Sequence, residues 1–585
     1  MARSKYIFLI SAAIILLILV LHISLYTFLT DDAFISYRYA VNLADGHGLV
    51  FNLGEKVEGY TNFLWVLILA LIKFLGPAPE NAANVLSLVA TLILIGMVYS
   101  FNRVFLDIRR FTLMGLIAPL LLALSRSFAV WASGGLETRL FTLLIFLAVT
   151  THFRGAFKGD RSYYFSALFF AIASLTRPEG ILLFGSFWAY RLFLNIRCHQ
   201  KVQPLIKSLM IFIPIVGAHF IFRMLYYGYP FPNTFYAKVT GAWFNTGLLY
   251  LLTFIHEYGL YLAIPLAVLL LTRRYDPDRR HIIMNILIPF APYAIYIAYI
   301  GGDHFEYRQL DVFLPFLAII LQEGIRTLII PVLKTESSLN RIMATAGLII
   351  GIILYTVPSI ETHLNFPTTY NSAVGVNSAC PNGTIINRLP GLKQYLLILD
   401  RLHFGLATDF VCIRQEEHRM AMEQVFLPQA RLLTRAVEQG YIDRDEVICL
   451  WCVGAIPYYS GLTTIDYLGL TDAHVAHRQL PQSEGKLMAH EKRADYRYLQ
   501  YRRAAYISTR PAIFIFPIED FLADGRVIEG KLINRAYLVP IGEYAFVFRS
   551  VFLPQYFINK YAPRGISFYQ KDKRGQLTYY PTPKP

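Results

Sequence analysis

The chain has 585 residues, of which 55% are hydrophobic and only 16% charged, and its mean hydropathy of +0.45 leaves too little polar surface to cover a soluble globule. That excludes an ordinary soluble enzyme and predicts a multispanning membrane protein. The formal net charge of +15 is no argument for nucleic acid, because no RNP, zinc-finger or related motif accompanies it.

Arg3 and Lys5 precede an apolar run, Tyr6 to Leu29, that is too long for a signal-peptide core and is followed by no small-residue cleavage site. It predicts a retained transmembrane helix with a cytoplasmic N-terminus. Further apolar stretches lie at 84–105, 111–125, 136–153, 163–176, 180–196, 208–223, 247–272, 282–300, 310–331 and 341–358. Residues 62–75, NFLWVLILALIKFL, are fewer than the ~20 of a usual crossing and carry Lys73. If they crossed, the basic loops at Arg109 and Arg110, Arg154 to Arg161, Arg197 to Lys207 and Arg273 to Arg280 would fall outside. If they lie flat in the interface, all four fall inside, as the positive-inside rule demands. The expected fold is therefore an α-helical multispanning membrane domain, residues 1–358, with about 11 spans and juxtamembrane helices. An extracytoplasmic C-terminal domain, residues 359–585, follows it.

On that topology the loops DDAFISYRYA, SFAVWASGGLETR, TRPEG, YYGYPFPNTFYAKV and GGDHFEYRQ share one face with the whole tail. The tail alternates strand-length apolar runs, Val447 to Val453 and Ala512 to Pro517, with helical stretches such as Met420 to Gln439, and reads as a separate α/β or α+β domain. Cys380, Cys412, Cys449 and Cys452 lie there, and Cys198 lies in a cytoplasmic loop. An even number outside permits disulfides, but the C-x-x-C at 449–452 sits in an apolar run, which suits buried thiols or a structural bridge better than a redox or zinc site.

Asp31 and Asp32 stand where the first apolar run ends, and a bare acidic pair at a membrane mouth is costly unless put to use. Either can serve as a general base toward an acceptor hydroxyl, and Asp31 is taken first. Neighbours on a helix point ~100° apart, so the two do not serve one hydroxyl, and one is expected to cap the helix. A leaving phosphate needs fixed cations, and Arg308, Lys238 and Arg177 are the candidates in that order, with Arg223 nearby. Asp303, His304, Glu306, Tyr236, Glu179 and Glu58 are candidate substrate contacts. Simpler roles exist: Arg38 with Glu58 and Arg177 with Glu179 as local ion pairs, Glu137 as a helix-start charge, Lys238 as an interfacial snorkel. Asp303, His304 and Glu306 offer donors to a divalent cation, although nothing in the spacing compels a metal. His474 and His477 complete no metal set, and Asp466 and Asp472 read as caps or turns.

The blocks DDAFISYRYAVNLADGHGLVFNLGEKVEGYTNFLW, SGGLET, LTRPEG, YYGYPFPNTFYAK and GGDHFEYRQLDVFLP occur in this order. Together with IDYLGLTDAHVAH and AHEK in the tail, they make the chain resemble the GT-C superfamily of polyprenyl-phosphate-sugar-dependent glycosyltransferases, and within it the terminal arabinofuranosyltransferases. The resemblance implies a general-base Asp in the first outer loop, juxtamembrane helices and inversion at the anomeric centre. It also implies a polyprenyl-phosphate donor, with D-arabinofuranose as the sugar, and leaves a divalent metal open. The acceptor would be a glycan, glycolipid or protein of the cell envelope, and the setting a bacterial plasma membrane. Hexose transfer to protein or lipid A is the alternative within the class, and a non-catalytic lipid-linked sugar carrier or flippase the alternative outside it. Transporters place charges near the bilayer midplane, whereas here they cluster at one mouth.

Overall fold

The computed structural model describes residues 2–581 except 109–110, 159–160, 240, 263, 265–267, 269, 272–276, 336, 365, 374–390, 480–487, 509–513, 518–535, 542–543 and 572–576. Arg109, Arg110, Arg273, Cys380 and Ala512, all named above, lie outside the described residues.

The first helix, Ala2–Leu25, buries Phe8, Ile15, Leu19 and Ile23, which recur every seven or four residues on one face, and leaves Leu17, Leu21 and Leu25 exposed on the others. It packs on helix Ile117–Leu124. Helix Asp31–Ala44 follows after Thr30, whose side chain accepts from the Ala33 N–H, an N-cap that satisfies one of the orphan donors of the first turn. The entry strand is pinned to the Ser-Gly-Gly turn: the Gly134 N–H donates to the Phe28 carbonyl at 2.9 Å and the Thr30 N–H to the Gly134 carbonyl at 3.2 Å. Gly135 adopts a φ of +79°, and a Cβ there would meet the Tyr37 hydroxyl at 2.1 Å, so only glycine permits this close approach.

Among the described residues six helices are long and apolar enough to cross a membrane: Lys5–Leu25, Pro79–Phe105, Gln203–Tyr227, Arg279–Ile300, Arg308–Leu333 and Ser338–Leu364. Every apolar stretch marked in the sequence contains helix among its described residues, but several of these helices are short; Ser162–Thr176 has 15 residues, a rise of ~22 Å against a hydrocarbon core of ~30 Å. Those six combine length with apolarity, and the expected count of about 11 requires the shorter or less apolar helices, such as Ser162–Thr176, Thr138–Lys158 and Glu179–Arg197, to cross as well. Phe63–Phe74, with 12 residues and a rise of ~18 Å, is too short to cross and packs along Asp31–Ala44.

Among the described residues the tail forms an eight-stranded mixed sheet: β1 Val447–Leu450, β2 Thr463–Asp466, β3 Ala504–Ile507, β4 Phe514–Pro517, β5 Ala536–Ile541, β6 Tyr544–Arg549, β7 Phe568–Lys571 and β8 Leu577–Tyr580. The order is β2-β1-β3-β6-β5-β7-β8, with β4 also on β6. β1 is parallel to both β2 and β3, and the remaining pairs are antiparallel. Helical residues Gln415–Glu438 cover it, with a π-helical turn at Ala421–Phe426. Cys412 and Cys449 are buried, Cys452 is partly buried and Cys198 exposed, all as free thiols.

The tail is docked on the first loop rather than set apart. Arg38 donates to the Phe51 carbonyl at 2.7 Å and to the tail carbonyls of Pro457 at 2.5 Å and Leu462 at 2.9 Å. It does not pair with Glu58, as the sequence had suggested. Asn52 acts as one more residue of strand on the β2 edge, accepting from the Thr464 N–H at 3.0 Å and donating to the Thr464 carbonyl at 2.8 Å. Phe34, Ile456 and Leu462 belong to one continuous buried core.

Candidate active site

Five loops and the tail meet in an open cleft at one end of the helices. Helix Asp31–Ala44 contributes Asp32 and Ser36, the loop before Phe63–Phe74 contributes Thr61 and Asn62, and the turn after Gly135 contributes Glu137. Arg177, Thr234, Lys238 and Arg308 come from the three later loops, and Leu470 from the tail.

The acidic pair is split. The Asp31 carboxylate turns away from the cleft and accepts from the Gly454 N–H at 3.0 Å and the Ala455 N–H at 2.8 Å. Burial, helped by the charge of Asp32, pushes its carboxyl up to about 7 even against these two bonds. A Cβ on Gly454 would meet the Asp31 carbonyl at 1.9 Å, so glycine is needed for this contact. Asp32 lines the cleft, and among the described residues its carboxylate has no partner. The two neighbours thus part, Asp31 to the tail and Asp32 to the cleft, as the ~100° offset between helix neighbours allows.

The cations arrive on a rigid frame. Arg308 is gripped bidentately by Asp303, Nε to Oδ2 at 2.7 Å and Nη2 to Oδ1 at 3.2 Å, and lies 4.5 Å from the Phe305 ring centroid. Burial alone would raise the Asp303 carboxyl, but the Arg308 guanidinium outweighs it and holds the group below its usual value. Arg177 donates to Glu137 at 3.2 Å and to Glu179 at 2.8 Å. These carboxylates overcome the burial that would lower the guanidinium and hold it well above its ordinary value. Asn62 extends the frame, donating to Glu137 at 2.8 Å and to Ser36 at 3.0 Å. Lys238 has no hydrogen-bond or ion-pair partner among the described residues, which leaves its ammonium facing the cleft uncommitted.

Other candidates sit elsewhere. Glu306 does not reach the cleft: it is 1% exposed and joins Arg126 at 3.0 Å and Arg414 at 3.0 Å. Arg414 also holds Glu257 at 2.9 Å, and Arg126 holds Glu416 at 2.7 Å. A buried charge survives only where it is paired, and this one is paired twice. Glu58 grips Arg223 at 2.6 and 3.1 Å, so both are struts between the first loop and helix Gln203–Tyr227. Tyr236 stacks edge-on against His477 at 4.3 Å between centroids, in an aromatic patch with Tyr229. The His304 Nδ1 meets the Phe410 carbonyl at 3.0 Å. Glu179 and Asp303 act as holders of the two arginines. Among the described residues no group of three or more His, Cys, Asp or Glu side chains converges to hold a metal ion. Asp466 and Asp472 do cap: Asp466 accepts the N–H groups of Leu468, Gly469 and Thr471, and Asp472 that of Val475.

Sequence reasoning missed the lining roles of Ser36, Asn62, Thr234 and Leu470, and read Glu137 only as a helix-start charge. Each lies inside a block quoted above, but neutral residues in a motif carry no mark of which way they face. The Arg126 and Arg414 network was also missed, because its members are brought together from separate helices and the tail.

Known proteins resemble the chain in three ways. Residues 413–569 match a family described only as a domain of unknown function, DUF8728. Over 269 residues the chain is 30% identical to the terminal beta-(1->2)-arabinofuranosyltransferase of Mycobacterium tuberculosis, a match covering 43% of this chain and 42% of that protein. Over 331 residues it is 26% identical to the protein of the same name from Corynebacterium glutamicum, covering 50% and 47%. The chain thus spans under half the length of these two relatives. In structure it is similar to ArnT from Cupriavidus metallidurans in the apo state, with a TM-score of 0.51 at 12% identity over 94% of this chain and 98% of that one.

Proposed function

We propose that this chain, a homologue of terminal arabinofuranosyltransferases with a GT-C fold, is an inverting glycosyltransferase. It moves a sugar, D-arabinofuranose, from a polyprenyl phosphate to a hydroxyl of a cell-envelope glycan or glycolipid. The observation that carries the reading is that one cleft gathers a single uncommitted carboxylate, Asp32, and three cations, Arg177, Lys238 and Arg308, at the mouth of long apolar helices.

The chemistry follows from who is free and who is held. Asp32 takes the proton of the acceptor hydroxyl, whose oxygen attacks the anomeric carbon as the bond from that carbon to the phosphate oxygen breaks. The phosphate leaves with the electron pair, and the charge it gains falls on Arg308, Lys238 and Arg177. Asp303, Glu137 and Glu179 orient the two arginines before the donor arrives, so little reorganisation is needed at the moment of reaction. One free carboxylate suits a single displacement, in which the acceptor approaches opposite the leaving phosphate. The lipid tail would lie against the apolar helices, in a bacterial plasma membrane crossed about 11 times, the shorter apolar helices included. Phe63–Phe74 would lie flat in the interface, with the cleft and tail extracytoplasmic.

The test is incubation of the purified protein with a panel of polyprenyl-phosphate pentoses and hexoses and a synthetic arabinan acceptor. Transfer from the arabinofuranose donor, with inversion, is expected. Turnover of a hexose donor alone would replace the sugar, retention would overturn the single displacement, and binding without turnover would point to a carrier.

A further inference from the structure

The exposed apolar surface of helix Gln203–Tyr227 continues past the end of the helix. Met210, Ile213, Ile221 and Leu225 are all exposed, and their spacing keeps them on one face, a stripe suited to lipid rather than to water. Beyond Leu225 the chain turns at Gly228, whose φ is +81°. It then presents Tyr229, Phe231 and Phe235 at 43%, 45% and 41% exposure. From Met224 to Ala237 the sequence holds no charged residue, and Arg223, just before, is buried.

This aromatic knuckle is held in place. Arg223 donates to the two Glu58 carboxylate oxygens at 2.6 and 3.1 Å and to the Pro230 carbonyl at 3.3 Å. The Asn233 side chain donates to the Gly469 and Leu470 carbonyls at 2.8 and 2.9 Å, which clamps helix Asn233–Lys238 on the tail. Tyr229 and Tyr236 close on His477 of the tail, at 4.5 and 4.3 Å between centroids, while Phe231 and Phe235 pair with each other at 4.8 Å. The rings that carry hydroxyls therefore engage the tail, and the two phenylalanines, which have no hydrogen-bonding atom in the side chain, are left outward. A glycan platform would need polar partners for sugar hydroxyls beside its rings, but the segment holds no carboxylate and the Asn233 amide donates to the tail. The headgroup layer of a bilayer accepts such aromatic surface without those partners.

We infer that Tyr229, Phe231 and Phe235 form a membrane anchor that inserts into the headgroup layer and seats this edge of the cleft at the depth of lipid phosphates. The partner is the bilayer surface, reached as a continuation of the lipid-facing stripe on the preceding helix. Lys238 lies three residues beyond Phe235 on the same short helix and lines the cleft, so the anchor fixes the depth at which its ammonium stands. The seating of Lys238 rests on the glycosyltransferase reading, in which that ammonium meets the phosphate of a lipid donor. The anchor itself does not.

The experiment places spin labels on Phe231→Cys and Phe235→Cys, in a background with Cys198 and Cys380 replaced by serine, in vesicles of phosphatidylethanolamine and phosphatidylglycerol. Labels on Leu225→Cys and Tyr501→Cys, exposed on the helix and on the tail, serve as references, and collision with oxygen against a water-soluble nickel chelate reads the depth. Both phenylalanine sites are expected to fall between the two references. Values equal to those of Tyr501→Cys would overturn the anchor, and protection of these sites by a soluble arabinan would assign the rings to a glycan instead. In the same vesicles the double variant Phe231→Ala, Phe235→Ala is expected to raise KM for a long-chain polyprenyl donor about threefold or more, and for a short-chain, water-soluble donor less than about twofold. An equal change on both donors would overturn the seating of Lys238. Absence of any wild-type turnover would remove the transferase reading, while the spin-label result decides the anchor without it.

Discussion

The Asp31 carboxylate and the Gly454 N–H lie 3.0 Å apart across 423 positions of the sequence, and this contact decides which of two adjacent acids faces the cleft. With Asp31 spent on the tail, the next residue round the helix, Asp32, is turned toward Ser36, Arg308 and Lys238 in the cleft wall.

Asp32→Asn is therefore expected to lower kcat by roughly 10²- to 10⁴-fold with donor affinity nearly unchanged, the usual cost of losing a positioned base. Steady-state kinetics beside a donor-binding titration measures both. If Asp31→Asn proves the more damaging to kcat while Asp32→Asn turns over normally, the assignment of the base reverts to Asp31.

Asp31 carries a pH signature of its own. Its carboxyl is raised from 3.8 to about 7, so between about pH 4 and pH 7 the folded protein binds a proton there that the unfolded chain does not. Its contribution is fully present below about pH 4 and is lost as the pH rises through about 7. Thermal unfolding in detergent from pH 4 to pH 8 should show this slope in the wild type and a flatter one in Asp31→Asn. An unchanged slope would mean that the burial of Asp31 does not set the titration.

Arg308→Lys tests the leaving-group assignment. Lysine keeps the charge but cannot match the Asp303 carboxylate with a fork, so kcat should fall by more than KM rises, as for an interaction that strengthens in the transition state. A change confined to KM would restrict Arg308 to ground-state binding.

Glu306→Gln separates structure from substrate contact. It leaves Arg126 and Arg414 short of a buried counter-charge, and removing one partner of such a group costs about 3–5 kcal/mol. The midpoint of thermal unfolding should drop by several degrees with the donor KM of the surviving protein unchanged. A raised KM at normal stability would return Glu306 to the substrate.

Topology is read by thiol labelling of intact cells. Among the described residues Cys198 is the exposed native thiol, and in a variant with Cys380 replaced by serine it is expected to react only after lysis. A cysteine at Tyr501, 82% exposed on the tail, should react before it. The opposite order would invert the protein in the membrane.

Much of the helical framework was legible from the chain alone, because long apolar runs have few alternatives. Residues 62–75 were legible as too short to cross, whereas the packing of Phe63–Phe74 along Asp31–Ala44 is a tertiary contact that no local pattern marks. Arg177, Lys238 and Arg308 were marked in the sequence by their places in the loops TRPEG, YYGYPFPNTFYAKV and GGDHFEYRQ beside apolar stretches, and all three line the cleft. Glu306 was misread because charge density in GGDHFEYR marks a cluster without saying which members turn inward. One turn of backbone sends Arg308 to the cleft and Glu306 into the buried network.

Composition and periodicity, acting over neighbouring residues, determined that this chain is a helical membrane protein with a mixed α and β tail. Tertiary structure alone decided the docking of the tail on the first loop, the division of labour between Asp31 and Asp32, and the holders of each arginine. The physical reason is range. Helix formation and burial of apolar runs are local consequences of side-chain type, whereas a carboxylate chooses between a backbone N–H and an open cleft only when segments hundreds of residues apart are brought within 3 Å, as Asp31 and Gly454 are here.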